Sequence, residues 1–180
     1  ARYMESTINK FNMQTTAAIR RDIWSGDEHQ IRVIVRSRPL SAQEKACGDA
    51  ECIELMEDIC QIKLENKRFT FDAVYPFSSS QEGIYQDCID QLVSSCFEGF
   101  NATVLAYGQT GSGKTHTMGS TGPSSVPDED QGIIPRAIRH IFREVADRRR
   151  RPAPPDIRVS VTFLEIYNEE IRDLLDGPAA

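Results

Sequence analysis

The run Gly108-Gln109-Thr110-Gly111-Ser112-Gly113-Lys114-Thr115 fits the pattern G-x-x-x-x-G-K-[ST] at every fixed position. The glycines let the backbone curl without Cβ clashes, so that successive N–H groups can turn inward on an anion. Lys114 adds a mobile point charge suited to the β- and γ-phosphates of a nucleotide, and the Thr115 hydroxyl is the expected Mg²⁺ ligand. A plain glycine-rich turn between a strand and a helix is the alternative, and it leaves Lys114 and Thr115 unexplained. Glu165, at the end of an apolar stretch, stands where a second metal-binding acid of such a site could stand, or where a merely structural residue could.

A cradle of this kind needs a buried strand before it and a helix after it. Ala102-Thr103-Val104-Leu105-Ala106-Tyr107 is nearly continuous, of strand length and without clean alternation, which predicts a strand buried on both faces. Ile31 to Arg36 is a β-branched run stopped by Pro39 and predicts the first strand. Three short apolar pieces, Cys52–Met56, Ile59–Ile62 and Arg68–Phe71, predict a small antiparallel appendage. Ser79-Ser80-Gln81-Glu82 fits a capping box, and the apolar spacing from Ile84 to Phe97 predicts one helix ending near Gly99. The segment from Gly119 to Gly132 reads as an exposed loop. A second helix follows through Ile134, Ile138, Ile141, Phe142 and Val145, with Pro135 tolerated in its first turn. Ile157 to Ile166 predicts a long strand. The order implies an α/β sandwich, a P-loop three-layer fold with a mixed, largely parallel central sheet.

A length of 180 residues suits one domain, possibly incomplete, since P-loop domains that couple nucleotide chemistry to movement usually need more chain. With 39% hydrophobic and 27% charged residues the chain is neither disordered nor, lacking any apolar run near 20 residues, membrane-spanning. A net charge of −6 argues against a nucleic-acid surface spread over the whole chain. The dense basic run Arg148–Arg151 reads as a solvated helix end complementing the helix dipole, with an anionic partner as the alternative. The five cysteines are odd in number, with no C-x-x-C pair and no His at zinc spacing, and read as reduced thiols of a cytosolic protein. The first 21 residues set Arg2, Lys10, Arg20 and Arg21 against Glu5 alone, a faint presequence pattern with no apolar core behind it; a flexible leader or docking arm over residues 1–29 is the preferred reading.

Ala106-Tyr107-Gly108-Gln109-Thr110-Gly111-Ser112-Gly113-Lys114-Thr115-His116-Thr117-Met118-Gly119 resembles the P-loop of kinesin motor domains. Five further blocks share the resemblance in order: Arg36-Ser37-Arg38-Pro39, Phe69 to Tyr75, Ser80 to Tyr85, Gly132 to Ala137 and Phe163 to Leu175. It covers residues 30–176, leaving 177–180 as a tail. The Pro-Ala-Pro-Pro-Asp link and the block Cys96 to Thr103 look most like the fourth, chromokinesin-type subfamily.

The resemblance implies an ATP or ADP site with Mg²⁺. Gly108, Gln109, Thr110, Gly111, Ser112, Gly113, Lys114 and Thr115 hold the phosphates, Thr115 the metal, and Lys114 is the candidate catalytic group. Arg36, Arg38 and Pro39 border the adenine, His116 lies where the family puts a ring against the base, and Tyr85 is a second candidate neighbour. The block around Glu165 is structural in the family. Microtubules are the implied partner, reached through elements beyond these residues, with a homodimer formed through a stalk and a location on cytoplasmic microtubules, cilium or spindle included. The family's switch strings, N-x-x-S-S-R and D-x-x-G-x-E, do not occur here. The residues therefore read as the N-terminal half of a motor domain that binds nucleotide but does not turn it over alone, and that is poorly stable or aggregates in isolation. A non-motile kinesin-like structural or regulatory module is the alternative, and an unrelated small-molecule kinase a more distant one.

Overall fold

The computed structural model describes residues 31–119 and 126–176, so the leader at 1–29, the tail at 177–180 and the middle of the Gly119–Gly132 loop lie outside the described residues. The chain divides into two compact units, Ala1–His140 and Ile141–Ala180.

In the first unit, strand β1 (Ile34–Arg36) pairs in parallel with β5 (Ala73–Tyr75), Val35 opposite Val74. Asp72 locks the start of this ladder: its carboxylate accepts from Val33 N at 2.7 Å and its own N–H donates to Val33 O at 3.0 Å. This gives the Phe69-Thr70-Phe71-Asp72 block a structural meaning, a side chain that closes a two-stranded edge.

Between those strands lies the expected antiparallel appendage, β2 (Ile53–Met56), β3 (Gln61–Leu64) and β4 (Lys67–Thr70), in the order β2-β3-β4. Cys60, Ile62 and Val74 form a buried cluster, with Val35, Ile53, Leu55 and Phe71 packed against it. The appendage thus supplies part of the core on which the first strand rests. Helix α1 (Ala42–Ala46) precedes it and carries a complete capping box, Ser41 Oγ accepting from Glu44 N while Glu44 accepts from Ser41 N at 2.7 Å.

The helix expected from Ser79 onward forms as two pieces, α2 (Gln81–Cys88) and α3 (Asp90–Cys96), divided at Ile89, whose φ of −117° departs from helical values. The N-cap is Ser80, bonded to Gly83 N, and not Ser79 of the expected capping box; Gly83 at the N3 position has no side chain to reach back. The end near Gly99 is as expected, with Gly99 at φ +98°.

Two of the expected strands do not form as expected. Ala102–Tyr107 forms no ladder, and Leu105 is 80% exposed and Tyr107 66%. Of the long strand expected over Ile157–Ile166, only its end is realised. In the second unit β6 (Leu164–Tyr167) pairs with β7 (Glu170–Asp173) as a hairpin, closed by Asn168 and Glu169 at φ +49° and +65°, as a type I′ turn requires. A strand buried on both faces takes backbone hydrogen bonds from a neighbour on each side, and the described residues supply no such neighbours to these runs.

Helices α4 (Lys114–Met118) and α5 (Ile133–Arg149) complete the described elements. Val145 of α5 is buried, whereas Ile134, Ile138 and Phe142 of the same stripe stay exposed. The basic run at its end behaves as a solvated helix terminus: Arg148 pairs with Glu144, Arg150 with Asp147, and Arg149 donates to Ile157 O. All five cysteines are free, and among the described residues no helix is long and apolar enough to cross a membrane.

Candidate nucleotide site

Gly108 to Gly113 form an irregular loop that enters α4 through Gly113, the N-cap, at φ +96°. A side chain at Gly108 would run into that of Ser112, so the loop is closed tightly across its own base. Lys114 bends back into it: Nζ donates to Gly108 O and Gln109 O, each at 2.8 Å. A glycine-lined curl with an ammonium inside it fits the phosphate chain of a nucleotide, because the space is one that Cβ atoms would fill and the charge has the required sign. Thr115 and His116 are exposed on the first turn of α4.

The far end of α4 is fixed by a pair of glycines. Gly119, at φ +73°, caps the helix by donating to Thr115 O at 2.8 Å. A Cβ there would sit 2.6 Å from Gly132 N, and one on Gly132 would sit 2.5 Å from Thr117 O. The two backbones touch directly, which ties α4 to the residues opening α5. Arg136 on the next turn holds the Asp128–Asp130 turn, donating to Gln131 O and Asp128 O, each at 2.8 Å.

The arginine block lies beside the loop. Arg38 Cβ is 4.0 Å from where a Cβ on Gly113 would be, so the two segments abut. Its guanidinium grips the Glu44 carboxylate bidentately at 2.6 and 2.7 Å, and that grip, with bonds from Ser41, pulls the Glu44 carboxyl down to about 2. Pro39 is exposed and its carbonyl accepts from Arg38. Arg36 turns the other way, donating to Gln81 Oε1 at 2.9 Å, Thr117 Oγ1 at 3.0 Å and Ser79 O at 3.1 Å. Partial burial lowers its pKa from the usual arginine value.

The structure therefore brings Arg36, Arg38, Pro39, the glycine loop, Lys114, Thr115 and His116 into one neighbourhood. Tyr85 is buried at 6% exposure, with its hydroxyl 3.0 Å from His140 Nδ1 and its ring edge-on to that imidazole. Glu165 lies on the exposed hairpin, in register with Arg172. Sequence reasoning did not assign Gln81, Thr117, Glu44 or the Gly119–Gly132 contact; the one signal for Gln81 was its place in the Ser80–Tyr85 block.

Loop, lysine and arginine-bearing strand end together define a P-loop nucleoside-triphosphatase fold. The kinesin motor domain family model matches residues 36–179, and the chain belongs to that family. Human kinesin-like protein KIF21B is 48% identical over 82% of this chain, human KIF21A 46% over 83% and human KIF27 42% over 83%. The chain spans 9%, 9% and 10% of those proteins. These relatives do not support placement in the chromokinesin-type subfamily.

Among solved structures, Drosophila NOD, docked with bovine tubulin into a map of nucleotide-free NOD on the microtubule, superposes with a TM-score of 0.71 at 37% identity. The match covers 81% of this chain and 47% of that one. NOD with manganese and ADP gives 0.67 at 33% identity, covering 83% of this chain and 49% of that one. The fold is thus the kinesin form of the P-loop sandwich, with the chain spanning about half of each solved motor chain it matches.

Proposed function

We propose that this chain is the ATP-binding part of a microtubule motor, in which ATP hydrolysis drives movement or force on microtubules. The observation that carries the proposal is Lys114 Nζ, held within the glycine loop 2.8 Å from two loop carbonyls. An ammonium has three N–H groups, and the one not directed at these carbonyls can take a phosphate oxygen. The loop from Gly108 to Gly113 wraps the phosphates, Thr115 ligates Mg²⁺, and Arg36, Arg38, Pro39 and His116 form the adenine side. Bound Mg²⁺ neutralises charge on the β- and γ-oxygens.

Residues 30–176 form the motor portion in this reading, with 1–29 a leader and 177–180 a tail. The groups that sense the γ-phosphate and position water belong to the switch strings that this sequence lacks, so the residues here bind and do not turn over. NOD, to which the chain is similar, was captured with ADP and manganese and on the microtubule, which supports the same ligands and partner here. Pairing through a stalk and residence on cytoplasmic microtubules complete the proposal. A finer placement in the fourth subfamily rests on the Cys96–Thr103 block and the Pro-rich link alone.

The test is titration of the full-length polypeptide carrying this sequence with a fluorescent ATP analogue and Mg²⁺. Lys114→Ala removes a charged hydrogen bond, typically about 1.5–3 kcal/mol, so affinity falls about 10- to 100-fold and microtubule-stimulated turnover is lost. Unchanged affinity overturns the site. Tight binding without any turnover in the unaltered protein favours a static kinesin-like module over a motor.

A further inference from the structure

Gln81 is buried, 6% exposed, at the first position of α2, yet its side chain makes contact with three other segments. Its orientation is determined by chemistry. Arg36 can only donate, so the oxygen 2.9 Å from Arg36 Nη1 is Oε1, and the amide nitrogen faces the opposite way. That nitrogen lies 2.7 Å from His116 O, 3.3 Å from His116 Nδ1 and 3.3 Å from Asp130 O. The amide has two hydrogens for these three neighbours: one goes to His116 O, the nearest, and the other lies between His116 Nδ1 and Asp130 O. A hydrogen directed at His116 Nδ1 makes that nitrogen the acceptor and places the ring proton on Nε2, which is the arrangement we adopt. Arg36 meanwhile also reaches Thr117, the next residue of α4, at 3.0 Å.

We propose that Gln81 is a positioning residue for the nucleobase: it ties the strand-end Arg36 to α4 and fixes the His116 ring, in rotation and in tautomer, as one wall of the base site. This rests on the ATP-binding reading above. It adds that recognition of the base, as distinct from the phosphates, depends on a glutamine that never touches the ligand. Lys114 Nζ is held by the loop carbonyls of Gly108 and Gln109 and not by Gln81.

The experiment compares MgATP with magnesium tripolyphosphate, which keeps the phosphate chain and lacks base and sugar, on the full-length polypeptide. Gln81→Ala weakens MgATP about tenfold, the scale of one or two lost hydrogen bonds, and leaves tripolyphosphate unchanged. His116→Ala costs a similar factor, and adding Gln81→Ala to it costs little more, since both act through the same ring. Gln81→Glu keeps an acceptor for Arg36 but lacks the N–H donors, so it too loses base affinity and serves where the alanine variant folds poorly. Ring ¹⁵N shifts of His116 in the unaltered protein show the Nε2–H form. Equal loss for both ligands, additive effects with His116→Ala, or an Nδ1–H ring overturns the proposal. Lys114→Ala that weakens neither ligand instead overturns the cradle, a separate failure.

Discussion

Replacing Gly119 with alanine puts a methyl group 2.6 Å from Gly132 N and 2.8 Å from Gly132 Cα, against backbone that cannot rotate away. The residue also sits at φ +73°, where an L side chain costs about 1–2 kcal/mol. Forcing an added carbon into a closed contact typically costs about 1–3 kcal/mol more. The sum, about 2–5 kcal/mol, is large beside the stability of most domains. Gly99→Ala is the control: φ is +98°, but a Cβ there meets nothing within 4 Å, so only the conformational cost of about 1–2 kcal/mol applies. Urea unfolding of the full-length polypeptide, followed by circular dichroism, gives both values. Because Gly119 ends α4, the loss is accompanied by weaker nucleotide binding, whereas Gly99→Ala leaves binding unchanged. If Gly119→Ala is no more destabilising than Gly99→Ala, the close contact between the two glycine backbones is not what fixes α4.

The Glu44 carboxyl, held down to about 2, is ionised in the fold well below the ordinary glutamate range. Its contribution is full above the unfolded pKa and is lost as pH falls from about 4.3 towards 2. A carbon-detected NMR titration of its side chain is expected to show a midpoint near 2, and a midpoint above 4 refutes the bidentate grip on Arg38. Leu105, Tyr107, Phe163, Ile166 and Ile171 are all more than half exposed, an apolar display that soluble monomers rarely carry. The isolated 180-residue chain is therefore expected to self-associate at micromolar concentration, and a single monomeric boundary in sedimentation velocity with a cooperative melt contradicts this.

What could be read from residues alone was local or tied to fixed chemistry. The irregular loop leading through Gly113 into a helix at Lys114 was legible because glycines act on the backbone locally. The three-stranded appendage, the end near Gly99 and the helix over Ile133–Arg149 were legible because turn residues and helical periodicity act within a few positions. The cap was misplaced by one residue, at Ser79 in place of Ser80, since adjacent serines carry the same signal. Composition and run length marked Ala102–Tyr107 and Ile157–Phe163 as strands, but a strand exists only with a partner, and partnership is a property of the whole sheet.

Tertiary structure alone decided how the site is held. Arg36 and Arg38 stand two residues apart in one motif, yet one is drawn towards Gln81 and Thr117 and the other towards Glu44. Tyr85, a plausible neighbour of a base by its place in the sequence, is buried against His140. Gln81 and the Gly119–Gly132 contact join segments up to 49 residues apart in number, such as Gln81 and Asp130. No periodicity spans such distances. The sequence by itself determined the glycine loop and its lysine, because backbone freedom and charge are properties of the residues themselves; the tertiary structure decided which neighbouring side chains are engaged inside the fold, because each such hydrogen bond needs a partner from a distant segment.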